Sequence, residues 1–126
     1  MVEFHSAARQ ALAELERALE RLSPDAAMTL ADAVLRARRI VVFGLGREGL
    51  VVRAFCMRLM HLGLDAHVAG DVTTPPIGPG DALVISTGPG DLRLARAMLL
   101  LARDAGAGTI AITAQTSGMG TPLEAM

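Results

Sequence analysis

The chain has 126 residues, 52% of them apolar, enough for one core, and the composition predicts a single domain over residues 1–126. Charged residues make up 20% and nearly cancel, for a formal net charge of -1, which argues against nucleic acid or an anionic membrane as the main partner. A lone cysteine, Cys56, excludes an internal disulfide framework, and with no tryptophan or tyrosine and three phenylalanines the core must be aliphatic.

Residues 5–22 carry Ala8, Leu12, Leu15, Leu19 and Leu22 on one stripe, which predicts an amphipathic helix. Ser23 followed by Pro24 reads as a cap and a first-turn proline, starting a second helix that runs from about 24 to 38. The N-terminus lacks the basic start and continuous apolar run of a signal peptide, so a cytoplasmic location is expected.

From residue 39 short apolar runs alternate with helical ones. Strands are expected at Ile40–Phe43, Ala66–Ala69, Ala82–Ser86 and Thr109–Thr113, with helices at 48–62 and 91–105. Such alternation predicts an α/β fold: a parallel sheet at 39–126 with helices on both faces, behind a helical pair at 1–38. Residues 72–80, VTTPPIGPG, hold three prolines and two glycines and are expected to form a loop in place of a crossover helix. The helix at 48–62 is apolar around most of its circumference, which asks for cover on two sides, from the sheet and from either a second subunit or the N-terminal pair. Thr121, Pro122 and Glu124 spell a helix start with almost no chain after it, as expected of a piece of a longer protein.

Two glycine-bearing loops carry the functional signal. Gly44, Gly46 and Gly49 form G-x-G-x-x-G after a strand and at the start of a helix, where small residues let helix N-terminal amides approach an anion, phosphate foremost. The alternative is that these glycines only permit close strand–helix packing. The second loop runs from Ser86 through Thr87, Gly88, Pro89 and Gly90 to Asp91, offering hydroxyls, exposed amides and a capping carboxylate. If the strands at 40 and 82 are neighbours, both loops converge on one crevice beyond the strand ends. Glu48 is a candidate base, an orienting carboxylate, or a first-turn residue favoured by the helix dipole. Arg47 is a candidate anion clamp. Thr73 and Thr74 could add hydroxyls from the segment after the second strand. His61 is an acid/base candidate or a structural histidine, and the spacing of His5 and His67 from it supports no zinc site.

The stretches GLGREGLVVRAFCMRLMHLGLDAHV, DVTTPPIGPGDALVISTGPGD and GAGTIAIT resemble the sugar isomerase domain family, and within it the 6-phospho-3-hexuloisomerases. The most specific parts are MRLMHLG at 57–63 and TTP at 73–75. The resemblance implies a three-layer αβα sandwich of flavodoxin-like topology, with the last strand and helix beyond Met126, and assembly as dimers or tetramers. It also implies interconversion of 3-hexulose 6-phosphate and fructose 6-phosphate through an enediol(ate), with no cofactor and no metal.

It further implies a phosphate-binding role for Gly44, Gly46, Arg47, Gly49, Thr73, Thr74, Ser86, Thr87, Gly88, Gly90 and Asp91, and a catalytic role for His61. The family usually has serine where this chain has Glu48, and hydroxyl residues where it has Pro89 and Leu92. It also supplies a late glutamate that has no counterpart here. A non-catalytic sugar-phosphate-binding regulator is therefore the second expectation. Dinucleotide binding is a third, weakened because Asp71 lies further past Gly44 than the roughly 20 residues usual for a ribose-binding acid.

Overall fold

The computed structural model describes residues 3–88 and 92–114. The chain divides into two compact units, Met1–Leu30 and Ala31–Met126.

In the first unit the leucine stripe forms helix α1, Phe4–Glu20. None of its residues is buried; Leu12, Leu15 and Leu19 are all exposed. The Ser23 hydroxyl accepts the Asp25 N–H at 3.3 Å, but Pro24 and Asp25 form a turn, so helix α2 starts two residues later than expected and spans Ala26–Arg36, running across the boundary between units.

The second unit is built on parallel strands: β1 (Ile40–Gly44), β2 (Ala66–Val68), β3 (Ala82–Ser86) and β4 (Gly108–Ile112). Helix α3 (Gly46–His61) joins β1 to β2, and helix α4 (Leu92–Asp104) joins β3 to β4. The strand order is β2-β1-β3-β4, all parallel. Each helix-linked step returns to the same sheet, which gives an α/β fold with a parallel sheet flanked by helices. Residues 69–81 carry the chain from β2 past β1 to β3 with no helix, because prolines 75, 76 and 79 leave no run of free amides to build one.

Alternation along the strands sorts the core into two faces. Val41, Leu83 and Ile85 pack with Ala95, Leu99 and Ala102 of α4, with Phe43, Met98 and Ala111 at the margin. Ile40, Val42, Ala82 and Val84 alternate to the other face, on the side of α3, which buries Val52, Cys56 and Leu59. Ile40, Val42, Leu83, Val84 and Ile85 are almost wholly inaccessible. At about 1.5–3 kcal/mol for each such side chain removed from water, these five dominate the local stabilisation. Burial pushes the Cys56 thiol up from its ordinary pKa, with the Asp71 charge acting in the same direction and Arg53 against it, so it stays protonated within this core. The outer face of α3 leaves Leu50, Val51, Met57 and Met60 exposed. No helix among the described residues is long and apolar enough to cross a membrane.

Candidate functional site

The order β2-β1-β3 makes the chain leave β1 in one direction and return on its other side, and parallel α/β sheets bind ligands at such a switch point, beyond the carboxyl ends of the strands. Here that point is defined by one register pair, Gly44 opposite Ser86. The two glycine-bearing loops, one following each of these residues, therefore start side by side.

Local sterics explain the first loop. A Cβ on Gly49 would stand 2.6 Å from the Gly44 carbonyl oxygen, and one on Gly44 would stand 3.0 Å from the backbone of Glu48 and Gly49. These two glycines let α3 start directly against the end of β1. Gly46 instead makes the turn, since its φ of +58° is in the left-handed region, with nothing within 4 Å of a Cβ there. The two sequence readings of the motif thus divide among its members, close packing for Gly44 and Gly49 and the turn itself for Gly46. Leu45 occupies the N-cap and supplies no side-chain cap bond, so the first amides of α3 have no capping side chain.

Glu48 bridges the two loops. It lies in the first turn of α3, where the helix dipole favours a carboxylate, and its Oε2 accepts the Ser86 Oγ hydrogen at 2.7 Å in a half-buried setting. Its other oxygen lies beside Gly88, whose φ is +42°; any Cβ at 88 would overlap the carboxylate. Arg47, next in sequence, is exposed and makes no ion pair with the described residues. Thr87 has its N–H donated to the Ile112 carbonyl at 3.0 Å, while its buried hydroxyl has no partner among the described residues.

The remaining candidates make no bond to these two loops among the described residues. Thr74 commits its hydroxyl to the Val68 carbonyl at 2.6 Å, closing the turn after β2, and Thr73 beside it is exposed. Asp71, in the same turn, lies 3.5 Å from Arg53 of α3. His61 is the last residue of α3 and is exposed. It lies thirteen positions after Glu48, about 20 Å at 1.5 Å per residue, so the two acid/base candidates stand at opposite ends of one helix. Gly90 and Asp91, the expected phosphate contacts at the far end of the second loop, lie outside the described residues, as do Pro89, Thr121, Pro122 and Glu124. Among the described residues no three histidine, cysteine or carboxylate side chains are grouped to hold a metal.

A second polar cluster, at the opposite end of the sheet, escaped the reading of the sequence. Arg38 and Arg39 precede β1, Asp65 precedes β2 and Asp81 precedes β3. Asp81 is buried; it accepts from Arg38 Nε at 3.0 Å, Arg38 Nη2 at 3.3 Å and the Gly78 N–H at 2.9 Å, with Arg39 Nη1 at 3.7 Å. Burial pushes its carboxyl up, but the Arg38 and Gly78 hydrogen bonds and the two arginine charges outweigh that and hold it below the usual carboxylate range. Asp65 bonds His67 Nε2 at 2.6 Å and Arg39 Nε at 3.1 Å. Its pKa is lowered, first by the His67 hydrogen bond and then, against desolvation, by Arg39. A charged residue directly before β1, β2 and β3 was the available signal.

No family model matches the chain. Among curated proteins it is 40% identical over 82 residues to a 3-hexulose-6-phosphate isomerase of Bacillus subtilis, an alignment covering 65% of this chain and 44% of that one. Among solved structures it matches a Methanococcus jannaschii protein whose structure was described as inferring a 3-hexulose-6-phosphate isomerase function, with a TM-score of 0.69, 32% identity, and 78% of this chain and 59% of that chain covered. The sugar isomerase domain of an RpiR transcription factor from Sphaerobacter thermophilus shares the fold, with a TM-score of 0.72 at 23% identity over 88% of this chain and 65% of that one. The chain spans less than half the length of the curated relatives it matches.

Proposed function

Because the chain is closely related to the sugar isomerase domain proteins, and among them to 3-hexulose-6-phosphate isomerases, we propose that the crevice above Gly44 and Ser86 holds a sugar phosphate. In this reading the protein interconverts 3-hexulose 6-phosphate and fructose 6-phosphate. The observation that carries it is the register of β1 against β3, which sets two glycine-bearing loops side by side at a switch point.

The chemistry asks for three things: a base to take the proton from C2 of the 3-keto sugar and return one at C3, a donor to the enediolate oxygen, and a grip on the remote phosphate. The α3 amides, Arg47 and the Ser86 hydroxyl are the groups on this chain suited to grip and donation. His61 supplies acid/base chemistry only to a crevice other than its own, since its own lies about 20 Å away along α3. The reading therefore includes a homodimer or homotetramer in which one copy's His61 serves another's crevice, with the exposed apolar face of α3 as the surface that brings copies together. A reducing, cytoplasmic setting fits the buried, unpaired Cys56.

The test is isomerisation of 3-hexulose 6-phosphate by the purified protein, read as fructose 6-phosphate through a coupled dehydrogenase. Turnover that rises with protein concentration and falls on His61→Gln in a variant that melts normally supports the reading. Sugar-phosphate binding without turnover moves the conclusion to a non-catalytic binding protein of regulatory or structural role. The Glu48–Ser86 contact favours that second reading, because it occupies groups the reaction would need.

A further inference from the structure

Resting on the sugar-phosphate reading of the crevice, a separate conclusion concerns Glu48. Two anion-receptive features meet beside the positive-φ backbone of Gly88: the side-chain-uncapped start of α3 and the Ser86 hydroxyl. Glu48 stands among them and takes the one hydroxyl. Its Oε2 takes the Ser86 hydrogen, its Oε1 fills the space that any side chain at 88 would need, and its place in the first turn puts a negative charge on the dipole of α3. The crevice that this reading gives to a phosphate thus holds a carboxylate of its own.

We infer that Glu48 is the specificity-determining residue of the crevice: an internal carboxylate that competes with the phosphoryl group of an incoming ligand for Ser86 and the start of α3. A phosphate ester enters only as Glu48 leaves Ser86, and it does so against a like charge in a half-buried setting, where screening is weak. A neutral sugar meets no such opposition. The hydrogen on Ser86 Oγ passes from Glu48 to the ligand in the same step, so Ser86 serves either the latch or the ligand. This function differs from that of a base, which must face the sugar carbons rather than the phosphate.

The experiment measures calorimetric affinities of the wild-type chain, Glu48→Gln and Glu48→Ser for fructose 6-phosphate, inorganic phosphate and fructose, with thermal melts on all three proteins. Gln keeps the shape and can still accept from Ser86 through its amide oxygen, and Ser removes most of the side chain, so one variant guards against a packing defect in the other. The expected result is binding of both anions at least about tenfold tighter in the two variants, with no change for fructose. Wild type binding fructose 6-phosphate while both folded variants bind it equally or more weakly would overturn the competition and leave the sugar-phosphate reading standing. Unchanged affinity with lost turnover would likewise overturn it, in favour of Glu48 as a base. If no folded protein binds either anion, both readings fall.

Discussion

The two ends of the sheet use polar residues in opposite ways. Where β1, β2 and β3 begin, Arg38, Arg39, Asp65 and Asp81 neutralise one another, His67 hydrogen-bonds Asp65, and the buried Asp81 carboxylate finds three hydrogen-bond donors. Where β1 and β3 end, side chains give way to glycine, the start of α3 has no capping side chain, and the buried Thr87 hydroxyl has no partner among the described residues. Charge is satisfied at one end, within the protein itself. In the proposed reading, incomplete satisfaction at the other leaves backbone and hydroxyl groups for a ligand.

Gly49→Ala should have the largest effect, because its new Cβ meets backbone 2.6 Å away that cannot move without separating α3 from β1. A loss of about 2–3 kcal/mol is expected in urea unfolding. Gly46→Ala meets open space and carries only the left-handed penalty, about 1–2 kcal/mol. Equal losses would mean that the three glycines do not divide into packing and turn residues.

At the other end, Asp81→Asn should cost about 2 kcal/mol, the scale of losing hydrogen bonds to a charged group, while leaving fructose 6-phosphate affinity unchanged. A matching loss of affinity in a folded variant would break the division between the two ends. The pH dependence sharpens the same point. Asp65 and Asp81 both have folded-state pKa values below their unfolded ones, so their contribution is fully present above the usual carboxylate value and is lost as pH falls through the folded values. Stability should thus drop below about pH 4, and the drop should be shallower in Asp81→Asn, as read by chemical denaturation across pH.

Much of the fold was legible. The strand at Ala82–Ser86 was placed to the residue and the helix expected at 91–105 forms over Leu92–Asp104, because Val/Ile-rich runs of five and a three-to-four-residue leucine stripe leave few alternatives. The first two residues of α3 were missed: the helix begins at Gly46 rather than 48, within a glycine motif whose composition argues against helix. The convergence of the glycine loops was foreseen on condition that β1 and β3 were neighbours, and they are. The Glu48–Ser86 bond was not foreseen, since it depends on strand register and on which way one side chain turns. The separation of His61 from Glu48 was available all along, from residue count and helical rise alone. The Arg38–Asp81 pair links residues 43 apart, and only the sheet brings them together.

The measurement that tests the account most directly is a backbone NMR titration of the chain with fructose 6-phosphate. The account predicts saturable shifts at Gly44–Gly49 and Ser86–Gly88 and unmoved resonances at Arg38, Asp65 and Asp81. Shifts centred on the start of the strands, or none at either end at millimolar ligand, would contradict it.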